Sequence, residues 1–223
     1  MKLALVGYGK MGRMLEGLAP EAGFEVSARI DAGDELSGVS GADVAIEFTQ
    51  PEAAVGNLLR LAELGVPTVC GTTGWFSELD RVSQAVERGG SALVWSPNFS
   101  IGVNVFMRVA AEAARLLADE KQYGAWAWEI HHDAKKDAPS GTLLKLVEGM
   151  RAAGYARSID VSSNRAGMHP GTHEIGFDSA ADTITLRHAA RSREGFARGA
   201  LKAARWIHGK RGVFEFSEVL FGR

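Results

Sequence analysis

The stretch KLALVGYGKMG, residues 2–12, decides what kind of fold this chain adopts. Lys2 to Val6 form a short, nearly continuous apolar run suited to a buried strand, Gly7-Tyr8-Gly9-Lys10-Met11-Gly12 follows at once, and Met14, Leu15 and Leu18 recur at helical spacing. The pattern predicts a strand, a tight turn and a helix. Its three glycines have separable tasks: Gly7 permits the turn, Gly9 lets backbone approach a pyrophosphate, and Gly12 lets the helix pack closely on its strand. Amides at the helix start and the positive end of its dipole favour phosphate there. A second apolar run over 24–30 ends at Asp31, at the spacing where an acid meets the adenosine ribose of a dinucleotide. Asp31 can accept from both ribose hydroxyls, while its charge opposes the additional phosphate of NADP, so NADH is the first expectation. Arg29 and Lys10 stay open as receivers of that phosphate, and a plain turn cap is the alternative task for Asp31.

The same rhythm continues outward. Strands are expected over 43–48, 67–70 and 92–95, with helices over 52–64 and 77–88, and such alternation implies a parallel, Rossmann-like sheet. Three strands end in loops of small or hydroxyl-bearing residues: Phe48-Thr49-Gln50-Pro51, Gly71-Thr72-Thr73-Gly74 and Ser96-Pro97-Asn98-Phe99. All fall at the carboxyl edge, where open α/β sheets bind ligands. A candidate hinge over 99–104 leads to an apolar-periodic helix over 105–118 and an alternating strand over 125–132. In that strand Trp126, Trp128, Ile130 and His132 share one face, with Glu129 and His131 on the other. A helix over 143–153 and strands over 158–163, 172–178 and 183–189 complete a second, α+β domain with a mixed or antiparallel sheet. A helix over 196–207 and the segment 213–220 then return to the first. The division expected is a dinucleotide-binding domain of 1–103 and 194–223, and a substrate-binding and oligomerisation domain of 104–193.

Composition narrows the partners. With 25 basic and 27 acidic residues and a formal charge of -2 over 223 residues, neither nucleic acid nor an anionic membrane is expected as a main partner. The lone cysteine, Cys70, allows no internal disulfide. The apolar start is too short for a signal peptide and no run approaches the ~18 apolar residues that span a bilayer, so a cytoplasmic location is expected.

The stretch EIHHDAKKDAPSGT, residues 129–142, carries the densest chemistry. Adjacent histidines on a strand face opposite ways and make a poor metal pair, so no metal is expected. A solvated loop accounts for Lys136 and Asp137 but not for histidines beside Ser140-Gly141-Thr142, a helix start able to hold a carboxylate or phosphate. An anionic substrate with nearby proton donors is the sharper reading.

This run closely resembles the signature E-x-H-H-x-x-K-x-D-A-P-S-G-T of the dihydrodipicolinate reductase family. Gly7 to Gly12, Glu47-Phe48-Thr49, Gly71-Thr72-Thr73-Gly74, Asn98-Phe99-Ser100-Ile101-Gly102-Val103-Asn104 and Arg165-Ala166-Gly167 also look like segments of that family, in its order, so the resemblance spans nearly the whole chain. It implies reduction of a cyclic dicarboxylate imine, on the route to diaminopimelate and lysine, with NADH or NADPH by a homotetramer. It further implies that His131 is the catalytic proton donor or acceptor, Lys135 a second donor that also binds substrate, and His132, Ser140, Gly141 and Thr142 substrate ligands. Gly7, Tyr8, Gly9, Lys10, Met11, Gly12, Asp31, Phe48, Gly71, Thr72, Thr73, Ser96, Pro97, Asn98 and Phe99 would line the cofactor. Two departures stand out: a short connection between the helix near Ala153 and the strand near Ile159, and Glu47 where many members carry Asp. Another two-domain nicotinamide enzyme, such as an aspartate dehydrogenase, would explain the glycine turn but not the residue 129–142 match. A non-enzymatic NADH sensor would leave His131 and Lys135 without a task.

Overall fold

The computed structural model describes residues 1–222. Its first half alternates β1 (Lys2–Val6), α1 (Lys10–Leu18), β2 (Glu25–Ile30), β3 (Val44–Glu47), α2 (Pro51–Glu63), β4 (Thr68–Cys70), α3 (Leu79–Arg88) and β5 (Ala92–Trp95), with short 3-10 turns at Leu36–Val39 and Phe76–Glu78. Beyond Lys2, every residue of β1 is buried, as are all four of β3. Their apolar runs are continuous rather than alternating because both faces of a parallel sheet are covered. α2 starts at Pro51, whose fixed φ and missing N–H cost nothing in a first turn.

α4 follows at Ile101–Leu116, then β6 (Gly124–His131), α5 (Gly141–Ala152), β7 (Ile159–Arg165), β8 (Thr172–Asp178) and β9 (Thr183–Ala189). Residues 101–104, expected in a hinge, are the first turn of α4. The Ser100 N–H donates to Asn98 Oδ1 at 2.9 Å, so the chain is already turning when it reaches Ile101. The four strands form a mixed sheet in the order β7-β6-β8-β9, with β6 parallel to β7 and antiparallel to β8. α4 and α5 cover one face: Phe106, Ala110 and Ala114 pack with Leu143, Leu146, Val147 and Met150 over Ala125, Ala127, Ile175 and Phe177. Trp126, Trp128 and Ile130 lie half-buried on the opposite face.

The chain closes with α6 (Glu194–Ile207), β10 (Gly212–Glu215) and α7 (Phe216–Phe221). β10 adds to β5, giving a six-stranded parallel sheet in the order β10-β5-β4-β3-β1-β2. α6 presents Ala197, Ala200, Ala203 and Ala204 to the sheet core. A methyl group at Gly199 would stand 1.8 Å from the Phe99 carbonyl oxygen, so only glycine permits this approach. The residues divide into two compact units, Met1–Ile101 with the segment from Glu194 onward, and Gly102–Arg193.

Candidate active site

In the first unit, β1 lies between β2 and β3, so the chain leaves β1 toward one side and later returns on the other. The crevice at such a reversal, beyond the strands' carboxyl ends, is where doubly wound sheets bind ligands. A cleft of ≈ 840 Å³ lies there, lined by Gly7, Gly9, Asp31, Asp34, Glu35, Ser37, Phe48 and Asn57 among others. A second of ≈ 400 Å³ is lined by Gly9, Lys10, Met11, Phe48, Gly71, Thr72 and Thr73. Gly7 has φ +93°, and a side chain there would strike the Phe48 carbonyl oxygen at 2.0 Å. Gly9, by contrast, would project into open space. It is the N-cap of α1, whose first turn has neither a side-chain cap nor an acidic residue. The amides of that turn are thus suited to an anion, and the shape fits the pyrophosphate and ribose of a dinucleotide.

Not every residue expected at the cofactor reaches a cleft. Gly12 is buried, its absent methyl lying 2.4 Å from the Gly7 carbonyl oxygen, which is the packing task read from its position. Tyr8 turns its hydroxyl to Glu16. Ser96 is tied to Asn98, donating to its carbonyl at 2.9 Å and accepting from its N–H at 3.1 Å. Phe99 is a core residue packed on Phe216, with ring centroids 4.8 Å apart. Neither Ser96, Pro97, Asn98 nor Phe99 lines the two clefts. Glu47 is fully buried and accepts from Cys70 Sγ at 3.1 Å and from Thr49, so the longer acid joins the ends of β3 and β4.

In the second unit, strand pairing gathers a polar row on the helix-covered face. Glu129 sits opposite Ser163 of β7 and His173 of β8, His173 opposite His188 of β9, and His131 opposite Arg165. Helix α5 enters the row through its N-cap: Ser140 Oγ accepts from the Leu143 N–H at 3.2 Å. Glu129 binds the cap as well, accepting from the Ser140 N–H at 2.8 Å and from its hydroxyl, from Ser163 Oγ at 3.0 Å and from Arg165 at 2.8 Å. Burial alone would raise the pKa of Glu129; the bonds from Ser140, Arg165 and Ser163 outweigh it and hold the pKa at about 2. His173 lies 3.3 Å from Glu129, and burial, with the neighbouring charge of His131, pushes it down to about 4. His131 is also shifted down, chiefly by burial, with Glu129 opposing and Lys135 and Arg165 adding to the shift.

Lys135 and Asp137 form an ion pair at 2.7 Å in the loop between β6 and α5. The pKa of Asp137 is lowered first by that bond and, to a smaller extent, by the Gly141 amide. A carboxylate of the chain itself therefore stands at the helix start where an anionic substrate was expected. His132 is half-buried, Gly141 is exposed and Thr142 half-buried at the same start. Glu129, His131 and His173 offer donor atoms within 4.8 Å of one another, a spacing a metal ion could use. With the Arg165 cation already on Glu129, the set suits a hydrogen-bond hub better than a cation site. Glu129 as the hub, with Ser163 and His173, was not anticipated from sequence; the one signal available was that Glu129 and His131 share a strand face.

Comparison with known proteins adds an independent line. The model of "Dihydrodipicolinate reductase, N-terminus" matches residues 1–99 and that of "Dihydrodipicolinate reductase, C-terminus" residues 102–220. The 4-hydroxy-tetrahydrodipicolinate reductase of Christiangramia forsetii is 33% identical, over 99% of this chain and 98% of its own. That of Archaeoglobus fulgidus is 36% identical, over 93% and 94%. A dipicolinate-bound dihydrodipicolinate reductase from Paenisporosarcina sp. TG-14 superposes with a TM-score of 0.83 at 20% identity, over 96% of this chain and 97% of that one. An aspartate dehydrogenase from Thermotoga maritima shares the fold at a TM-score of 0.53 and 14% identity.

Proposed function

The chain belongs to the dihydrodipicolinate reductase family, and we propose that His131 and Lys135 carry the proton chemistry of its reaction, with the start of α5 as the substrate carboxylate site. The reaction is the NAD(P)H-dependent reduction of a cyclic dicarboxylate imine to tetrahydrodipicolinate, in lysine and diaminopimelate biosynthesis. When bound, the dihydronicotinamide supplies the hydride. The observation that carries the assignment is that Glu129 joins His131 to the Ser140 cap of α5, with the Lys135 charge acting on the same histidine.

Hydride arrival at a ring carbon conjugated with an imine sends negative charge toward nitrogen. A cationic Lys135 lowers that barrier by its field, and His131 holds a proton for the reduced substrate. Gly141 and Thr142 anchor a substrate carboxylate through backbone amides, with Thr142 adding its hydroxyl and His132 a further donor. Asp137, now on Lys135, is displaced as substrate takes its place.

For the cofactor we propose NADH over NADPH. Asp31, Asp34 and Glu35 all face the larger cleft, and a 2′-phosphate would meet their charge. Neither cation considered above as its receiver lines that cleft: Arg29 is held by Glu16 at 2.7 Å, and Lys10 lines the smaller one. Arg60 does line it, paired with Glu63 at 2.9 Å. We also propose a cytoplasmic homotetramer built through the face of the four-stranded sheet that bears Trp126 and Trp128. No helix among the described residues is long and apolar enough to cross a membrane.

The test is oxidation of NADH and of NADPH with substrate generated in place from pyruvate and aspartate semialdehyde. Faster turnover with NADH is expected; no turnover with either by a folded, cofactor-binding sample overturns the reading. Lys135→Ala should lower turnover by ~10²–10⁴-fold and leave NADH affinity unchanged, whereas loss of NADH binding would make the lysine structural.

A further inference from the structure

The Glu129 hub is asymmetric in a way that bears on His131. Its Oε1 accepts from the Ser140 N–H, Ser163 and Arg165, while its Oε2 takes the Ser140 hydroxyl and faces two imidazoles, His173 Nε2 at 3.3 Å and His131 Nδ1 at 3.5 Å. His131 Nδ1 is buried and makes no hydrogen bond, so this oxygen is the acceptor a shift of a few tenths of an ångström would give it. The opposite edge of the ring lies over Gly171, where a methyl group would stand 2.9 Å from Nε2. The two rings meet edge to face with centroids 5.1 Å apart.

We propose that Glu129 and His173 are positioning residues for His131: the carboxylate orients its ring through Nδ1–H and leaves Nε2 for the substrate, while His173 competes for the same oxygen. The proposal rests on the assignment of His131 as the proton-transfer group. A carboxylate on the far nitrogen of a working histidine sets its tautomer and stabilises its protonated form. A competing donor on that oxygen reduces this stabilisation, and two charged imidazoles so close oppose each other. The charged and titratable groups facing the pair are Glu129 on β6, Arg165 on β7, His188 on β9, and Lys135 and Asp137 on the loop; α5 contributes the uncharged Ser140. Both histidines are shifted down chiefly by burial, with Glu129 opposing the shift in each.

Two variants give shifts of opposite sign. In His173→Leu the carboxylate oxygen keeps the Ser140 hydroxyl and faces His131 as its one imidazole, and the His131 pKa, read by imidazole NMR titration of the whole chain, should rise by ~0.5–1 unit. In Glu129→Gln it should fall by a similar amount, and kcat should drop about 10- to 100-fold with NADH affinity unchanged. The pH limb of kcat should move with the NMR value in each. If Glu129→Gln, which breaks the pair with Arg165, fails to fold, His173→Leu carries the test alone. An unmoved His131 titration in His173→Leu overturns the positioning role. Undiminished turnover in His131→Gln instead overturns the assignment on which it rests.

Discussion

Gly171 shows how little room the His131 ring has. Its φ of +137° is a conformation that side chains resist, and a methyl group there would stand 2.9 Å from His131 Nε2 and 3.1 Å from Cδ2. Gly171→Ala must therefore strain the backbone or push the imidazole aside. We expect kcat to fall by ~10-fold or more, because small misplacements of a reacting group are costly. NADH affinity, measured by fluorescence titration, should stay at the wild-type value; a normal kcat would mean the ring has more freedom than this contact allows. At this scale, legibility follows chain proximity. His131, Lys135 and Ser140 to Thr142 stand within one short run, so a joint role can be proposed for them before any fold is known. Ser163 and His173 reach Glu129 only through the two neighbours of β6, one parallel and one antiparallel, and no local pattern encodes that pairing.

At the scale of elements, the short connection between α5 and β7 shows what secures a chain that lacks a longer loop. Arg157 donates to the carbonyls of Ala118 at 2.7 Å, Leu117 at 2.9 Å and Tyr123 at 3.3 Å, and its guanidinium stacks 4.3 Å above the Tyr155 ring. It thereby satisfies carbonyls just past the end of α4, where a helix runs out of partners. Arg157→Ala should cost ~1–3 kcal/mol in urea unfolding with NADH affinity unchanged; no loss of stability would show that water replaces these bonds at no cost. Element type was readable from periodicity almost throughout, and the departures lie where side chains redirect the backbone. Asn98 starts α4 earlier than its apolar stripe suggests. The segment 213–220, read as one piece, is a strand followed by a short helix because Glu215 and Glu218 form a reciprocal capping box.

At the scale of the whole molecule, the βα rhythm made the parallel sheet legible. The place of β10 beside β5 was not, since a four-residue edge strand carries too little pattern to name its neighbour. The buried row gives the molecule a pH dependence whose sign can be worked out. His173 titrates at about 4 in the folded chain against 6.5 ordinarily, so below 6.5 the unfolded chain takes up a proton that the folded one refuses. Stability is thus lost as pH falls from 6.5 toward 4. Glu129, at about 2 against 4.5, contributes fully above 4.5 and loses its contribution as pH falls through 2. Both act in one direction, His173 first, and each full window is worth on the order of 3 kcal/mol. Between pH 7 and pH 5 the histidine dominates this pair, since Glu129 stays ionised in either state over most of that range. This pair should contribute a loss of about 2 kcal/mol to urea unfolding of the wild type over that interval, and His173→Leu should show a clearly smaller total loss. Equal losses in the two proteins would place the acid sensitivity outside His173, and would overturn the claim that burial, more than pairing with Glu129, sets its proton affinity.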